Sequence, residues 1–566
     1  MENEILKKEL AEWMNRLPDE GIEEEFQGLI DKWGYEDVIS AWADDNWYNR
    51  IAVAEKLLEL KRFSKTDYEE PKTIAYYYRC IKNGGAQRVA AMLCNIFSKI
   101  EDVDGNKKYK VVLITDEDDA NDTAQEYFIE SCVKREYLPG YARAIKADYK
   151  KRLEKWTEII EKQKIDVVIN GMWCAPCATW DWISIKGTKR KPMYITHMHN
   201  FCCVPYGFEG GDAQELMYRY HLSDGVVSLS ECDERFVSAF NPYSKSIVNP
   251  MTFDLQKKEK SEKQGNTIVW IGRISEEKQP LDAIQVMHRV HAECPMARLV
   301  VVGSGNEKLT TQMKDMIRQY GLEDFVQMAG YTSDVDKYYR EADVFISTAV
   351  YEGFPLTFAE AMTYELPEII YDIPWLTFVK DGRGVIPVKQ GRVDIMAERV
   401  IELLKDEEKR KIIGKAGRAQ IEEIASIDIG KEWDDFINTI WQKDGKNPYE
   451  KSVENILFEY LTRFGQKGRS SLKSKLELSE VKRRENDKAL RMKLQTTYAE
   501  KSEINRKLQI TYDEKRERGV LIGKQEKEIK ELKEQLKKTQ CKLNRYEQNI
   551  VIRVLRKMYR IVKRTK

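Results

Sequence analysis

The chain has 566 residues, 33% charged and 42% hydrophobic, with 94 Lys and Arg against 94 Asp and Glu. That length exceeds one domain and fits about three or four units, and a formal net charge of zero leaves no overall field that would draw nucleic acid. No apolar run approaches the roughly 20 residues that a bilayer span requires, so a soluble or peripheral protein is expected.

The ten cysteines lack the spacing of a disulfide framework, which favours a reducing, cytoplasmic setting. Met1-Glu2-Asn3-Glu4 does not read as a signal peptide. In chain order, residues 1–70 read as an acidic helical extension carrying Trp13, Trp33, Trp42 and Trp47. These tryptophans are expected to pack inward or onto the next domain, with a protein-docking module as the alternative.

From about residue 72 strands and helices alternate. Strand-like runs fall at Ile74–Tyr78, Val111–Ile114, Val167–Ile169, Met193–Thr196 and Val226–Leu229. A helix with an apolar stripe at Val89, Leu93, Ile96, Phe97 and Ile100 follows the first of them. A second series has strands at Ile268–Ile271, Leu299–Val302, Val326–Met328 and Val344–Ile346. Alternation of this kind predicts α/β architecture: two Rossmann-like domains, 71–250 and 251–445, joined near Asn249-Pro250-Met251-Thr252. A substrate cleft is expected between them, at the carboxyl ends of the strands.

Residues 446–548 read as a helical linker and a coiled coil. Ile522, Ile529, Leu532, Leu536, Leu543, Tyr546 and Ile550 share one heptad frame, while Leu490, Leu494, Ile504 and Leu508 share another. A self-associating stalk, and through it a homodimer, is expected; a long helix folded back on the body is the alternative. Residues 549–566 hold no acid and place Val551, Leu555, Met558 and Val562 opposite Arg553, Lys557, Arg560 and Arg564. Such a basic amphipathic helix suits an anionic membrane surface, the alternative being a coiled-coil end with solvated charges.

The densest chemistry lies between Tyr351 and Met362. Glu352 sits in a loop, Gly353 follows, and Pro355 opens a helix that carries Glu360. The amides of the first turn, around Phe354, Pro355, Leu356 and Thr357, make an anion site, Pro itself lacking an N–H. Two carboxylates beside a phosphate cradle suit a sugar joined to a nucleotide diphosphate. Arg273 and Lys278, in Gly272-Arg273-Ile274-Ser275-Glu276-Glu277-Lys278, follow the first strand of the second series. A guanidinium fork and a mobile ammonium there fit a pyrophosphate leaving group. Asn83-Gly84-Gly85-Ala86 and Gly303-Ser304-Gly305 are strand-to-helix turns that let a ligand approach the backbone, although any tight turn would use them.

The E-x7-E spacing with Gly-Phe-Pro after the first acid resembles the retaining glycosyltransferases of family 4, the glycosyl transferases group 1, which have the GT-B fold and in bacteria often build surface polysaccharides. The resemblance covers residues 72–445 and neither end. It implies transfer of a sugar from a nucleotide-sugar donor to a glycan or lipid-linked acceptor hydroxyl, with the anomeric configuration retained. It further implies that Glu352 grips sugar hydroxyls, Glu360 the ribose, and Arg273 and Lys278 the donor phosphates. A Gly commonly follows that Lys, where this chain has Gln279. Gly84 and Gly85 would touch the diphosphate or acceptor, Gly303 would shape the nucleotide pocket, and Tyr331 would lie near the base. A His at the end of the strand Met193–Thr196 reaches the donor sugar in such enzymes; His199, followed by Asn200, is the better match and His197 the other. The last helix, with Trp433 and Trp441, would cross back to the first domain. No cofactor, metal or dedicated carboxylate base is expected. A GT-B epimerase or phosphorylase, or a non-catalytic scaffold, would share the scaffold. Trp173-Cys174-Ala175-Pro176-Cys177 matches a redox C-x-x-C motif, and Cys202, Cys203 and the histidines could be read as a zinc set, but reduced thiols are expected.

Overall fold

The computed structural model describes residues 5–10, 12, 22–35, 37–38, 70–116, 126–140, 149–204, 220–251, 266–442, 490–515 and 522–564, apart from 83, 176–177, 203, 333, 377, 380 and 491. Among these residues two parallel sheets form. The first comprises β1 (Thr73–Tyr77), β2 (Lys110–Asp116), β3 (Lys134–Leu138), β4 (Val167–Asn170), β5 (Met193–His197), β6 (Gly225–Ser228) and β7 (Ser244–Ser246), in the order β3-β2-β1-β4-β5-β6-β7. The second comprises β8 (Thr267–Ile271), β9 (Arg298–Val302), β10 (Val326–Gly330), β11 (Val344–Ser347), β12 (Glu368–Tyr371) and β13 (Val385–Val388), in the order β10-β9-β8-β11-β12-β13. Strand order reverses beside β1 in one sheet and beside β8 in the other, and the crevices at those points face the carboxyl ends of the strands.

Helices α1 (Ile22–Trp33), α2 (Gly85–Phe97), α3 (Tyr149–Gln163), α4 (Ala178–Gly187) and α5 (Glu231–Ser238) accompany the first sheet. With the second run α6 (Pro280–Glu293), α7 (Glu307–Gln319), α8 (Asp336–Glu341), α9 (Leu356–Thr363), α10 (Val393–Lys405), α11 (Glu407–Ala425) and α12 (Ile429–Gln442). Because helices cover both faces, β1 and β4 are buried along their whole length, which is why they read as unbroken apolar runs.

α12 returns to the first domain. Its Trp433, Phe436, Ile437, Ile440 and Trp441 are buried in one core with Ile74, Val111, Val227 and Phe97. Lys108 and Tyr109 donate to the Asp434 carboxylate at 2.9 and 2.5 Å and tie the helix to the start of β2. The N-terminal extension also joins the first domain: Leu6, Leu10, Phe26 and Val38 are buried with Val112, Trp156 and Trp182, and Trp33 packs against them. Trp13, Trp42 and Trp47 lie outside the described residues.

Residues 464–566 make a second compact unit. Its helices, 492–515 and Ile522–Arg564, run antiparallel within one chain, with Tyr498 bonded to Glu547, Lys501 to Gln540 and Lys515 to Glu526. Ile529, Leu532 and Leu543, from the expected heptad frame, are buried along the facing stripe, together with Thr497, Thr511 and Thr539. The side chains beyond residue 550, Arg553 excepted, lie outside the described set, and with them the apolar face of the basic tail.

Candidate active site

Two helix N-termini meet between the Rossmann-like domains. α9 starts at Leu356 with Pro355 as its N-cap, and neither a side-chain cap nor an acid satisfies its first turn. α2 starts at Gly85 with Gly84 as its N-cap, likewise without a side-chain cap. A methyl group on Gly85 would stand 3.8 Å from Leu356 Cδ1, so the positive ends of the two helices converge. Tyr127 OH accepts the Gly84 N–H at 3.2 Å. Burial pushes the Tyr127 phenol up; Gly84 and Arg88 oppose the shift, while Tyr331 and Glu360 of the facing domain add to it.

The cations and the first acid form one assembly. Lys278 Nζ bonds Glu352 Oε1 directly. The Lys278 carbonyl accepts from Thr348 Oγ1 at 2.7 Å, and the Glu277 carbonyl from Val350 N at 2.9 Å, so the Gly272–Lys278 loop is pinned to the segment after β11. Gln279 has φ +44°, the left-handed region that glycine enters without cost, which gives a physical reason for the glycine that the resemblance leads one to expect at this place. Arg273 is exposed, and its Nη2 lies 2.8 Å from Glu277 Oε1. Burial opposes ionisation of Glu277, but bonds from Ser275 and Arg273 outweigh it and hold the carboxyl below its usual range. Gly303 supports this loop: at φ +135°, a Cβ there would stand 1.9 Å from the Gly272 carbonyl oxygen.

Glu360 is 9% exposed, and both its oxygens are engaged. Oε1 accepts from Arg88 Nη1 of the first domain at 2.8 Å, and Oε2 from Tyr339 OH at 2.8 Å. The Glu352 carbonyl accepts from Trp375 Nε1 at 2.8 Å, and Trp375 stacks on Phe201 of the first domain, with centroids 4.0 Å apart. A Cβ on Gly353 would stand 2.6 Å from Asn200 Cα, so only glycine lets the Glu352 loop lie against the chain that follows β5.

The structure separates the two histidines. His197 does not reach the cleft: it is 1% exposed, its Nδ1 bonds Tyr76 OH at 2.7 Å, and its ring meets the edge of Trp433 at 5.1 Å. α12 packs against that ring through Trp433. His199 keeps some exposure and approaches Tyr76 OH through Nε2 at 3.1 Å, while its buried Nδ1 has no partner among the described residues. Burial pushes His199 down to about 3, and burial with the nearby His199 pushes His197 well below its ordinary value. Both rings are neutral near pH 7, so His199 is suited to a hydrogen bond and not to proton donation.

Glu352, Lys278, Gly84, Gly85, Gly353, the Leu356–Thr357 turn and the His199–Asn200 backbone thus lie together where the two domains meet. Phe354 is buried against Phe378, whereas Tyr331 is 59% exposed just after β10. Arg88, Tyr127, Phe201, Tyr339 and Trp375 were not signalled by any sequence motif. Cys174 is exposed and in no disulfide, Cys177 and Cys203 lie outside the described residues, and among the described residues no cluster of His, Cys, Asp or Glu could hold a metal. Nor is any described helix long and apolar enough to cross a membrane.

The family Glycosyl transferases group 1 matches residues 252–420. The chain is 25% identical over 268 residues to the amylovoran biosynthesis glycosyltransferase AmsD of Erwinia amylovora, covering 45% of this chain and 75% of that one. It is 30% identical over 141 residues to the poly(glycerol-phosphate) alpha-glucosyltransferase of Bacillus subtilis, covering 25% of this chain and 21% of the relative. Among solved structures, sucrose-phosphate synthase from Thermosynechococcus elongatus superposes with a TM-score of 0.55 at 16% identity, covering 66% of this chain and 100% of that one. Anabaena Alr3699/HepE, solved in complex with UDP and glucose, gives 0.51 at 15% identity over 65% and 100%. Residues 252–420, which carry Arg273, Lys278, Glu352 and Glu360, thus match the glycosyl transferases group 1 family, within a two-sheet GT-B fold.

Proposed function

We propose that the protein is a retaining glycosyltransferase that moves a sugar from a nucleotide-sugar donor to an acceptor hydroxyl in the synthesis of a surface polysaccharide. The observation that carries this reading is the joining of Lys278 to Glu352 beside the uncapped N-terminus of α9, with the His199–Asn200 backbone of the other domain packed against Gly353. Glu352 accepts hydrogen bonds from the donor sugar, and Glu360 from the ribose. As the glycosidic bond breaks, negative charge grows on the leaving phosphate. Arg273, Lys278 and the amides of Leu356 and Thr357 stabilise that charge, and Lys278 exchanges Glu352 for phosphate oxygen. Neutral His199 offers a hydrogen bond to the sugar, and the leaving phosphate takes the acceptor proton, so the reaction needs neither a carboxylate base nor a metal.

A thermal-shift panel of nucleotide sugars identifies the donor, and NMR of the transferred anomeric proton reports the stereochemistry. We expect one donor class to stabilise the protein and Glu360→Ala to weaken its binding, since charge-assisted hydrogen bonds contribute about 1.5–3 kcal/mol each. Inverted product, or unchanged nucleotide affinity in Glu360→Ala, would refute the mechanism or the ribose assignment respectively.

We also propose that residues 549–566 hold the active site near a lipid-linked acceptor. Their charge supports this: basic residues recur through the last turns of the helix Ile522–Arg564, with no acid among them. Each Lys or Arg near an anionic surface adds about 1 kcal/mol. The full chain should sediment with anionic vesicles at low salt, and a chain ending at Gln548 should not. Equal binding by both would remove the membrane reading.

A further inference from the structure

Arg88 lies in the opening turns of α2, on the first domain, and reaches Glu360 on α9 of the second, a residue 272 positions away. The contact is sheltered, with side-chain exposures of 29% for Arg88 and 11% for Glu360. A charge-assisted bond in such a place is stronger than an exposed surface pair. Tyr339, itself buried, holds the other oxygen of the same carboxylate. A ribose presents two neighbouring hydroxyls, and a carboxylate receives such a pair best through both oxygens. Arg88 on Oε1 and Tyr339 on Oε2 each take one acceptor site of a carboxylate that keeps little open surface, so a ribose hydroxyl seeking Oε1 meets the Arg88 guanidinium.

The other contacts across the cleft are of different kinds. Phe201 and Trp375 stack with planes 9° apart, and Gly353 lies against the Asn200 backbone. Both acid-bearing segments are thereby tied to the first domain, but Arg88 takes an oxygen of an acid as its means of doing so.

We propose that Arg88 is a positioning residue of the donor site, an interdomain clasp that competes with the donor ribose for Glu360. This rests on the ribose role assigned to Glu360 above. The clasp sets the affinity for nucleotide from outside the donor's own contacts: the ribose displaces a guanidinium before it is seated, and each donor bound loosens one tie between the domains.

The test has two arms. Calorimetry measures UDP, GDP and ADP binding to the wild type, Arg88→Gln, Arg88→Lys, Glu360→Gln and the double variant Arg88→Gln/Glu360→Gln. Arg88→Gln should bind the accepted nucleotide roughly threefold to tenfold more tightly, the size expected for loss of a partly sheltered ion pair. Arg88→Lys should stay near the wild type. In the Glu360→Gln background, Arg88→Gln should change nothing, because the two act as one unit. Hydrogen exchange without nucleotide supplies the second arm: the first-turn amides of α2 and α9 should exchange faster in Arg88→Gln. Weaker nucleotide binding in Arg88→Gln, equal in both backgrounds, would make Arg88 a direct donor ligand and overturn the proposal. Unchanged exchange would overturn the clasp whatever the nucleotides do. Wild-type affinity in Glu360→Gln would instead defeat the ribose reading, leaving faster exchange as proof of the clasp alone.

Discussion

Lys278→Ala should lower sugar transfer by on the order of a hundredfold or more, with little loss of folding stability. The lysine ends a short 3-10 helix, Glu276–Lys278, and its side chain is 20% exposed. What anchors this loop is its backbone, through Thr348 on the Lys278 carbonyl and Val350 on the Glu277 carbonyl, and both bonds survive the substitution. The side chain reaches Glu352, the acid assigned to the donor sugar. On the proposed mechanism, removing it takes away a charge that stabilises the leaving phosphate, and it also takes Lys278 from Glu352. The loss should therefore appear in kcat as well as in KM, since the leaving-group charge develops in the transition state. Arg273→Ala should cost less, because that guanidinium is exposed and already shares Glu277. Turnover near the wild-type level in folded Lys278→Ala would show that the ammonium does not face the reacting phosphate.

What the sequence discloses and what it hides follow from the range of the interactions. β1, β4 and β8 were legible because strands covered on both faces must be apolar throughout. The β3 strand opens with Lys134-Arg135-Glu136 at a sheet edge, β7 has three residues, and β13 contains Pro387, which an edge strand tolerates; none of these carries the buried-strand pattern. β12 begins with Glu368, which is fully buried and whose carboxyl burial pushes well up, an unlikely residue by pattern for a strand core. In the site, Glu352 and Glu360 were readable because one loop and one helix carry both. Arg88, Tyr339 and Trp375 reach these acids from distant segments, and no local spacing marks such partners. The pair His197 and His199 shows the limit from the other side. Both stand on the same strand end with the same alternation, and what separates them is Trp433 on a helix that returns from the far end of the second domain.

A larger effect on stability is expected at Arg152, which no motif announced. It lies on α3 with its side chain 3% exposed. Its Nε and Nη2 bond the two oxygens of Asp181 at 2.8 and 2.9 Å, and its Nη1 bonds Asp116 at 3.1 Å and the Pro139 carbonyl at 2.9 Å. Nη2 also meets Tyr77 OH at 2.8 Å, and the guanidinium lies over the Tyr77 ring. Trp156 Nε1 donates to Asp181 at 2.9 Å. One cation thus joins α3 and α4 to the carboxyl ends of β1 and β2. Arg152→Ala would take from the fully buried Asp181 carboxylate the guanidinium that holds both its oxygens, a change that typically costs about 3–5 kcal/mol. Against a total stability of about 5–15 kcal/mol for a domain, that loss should lower the unfolding midpoint of the first domain sharply. Size alone would not distinguish a lost charge partner from lost packing, so the decisive measurement is a cycle with Asp181→Asn. If the penalty is an unpaired buried charge, adding Asp181→Asn to Arg152→Ala should recover part of the stability, although Asp181→Asn alone destabilises the wild type. Strictly additive losses in chemical denaturation would mean that Arg152 acts by filling space, and the ionic account of this network would fall.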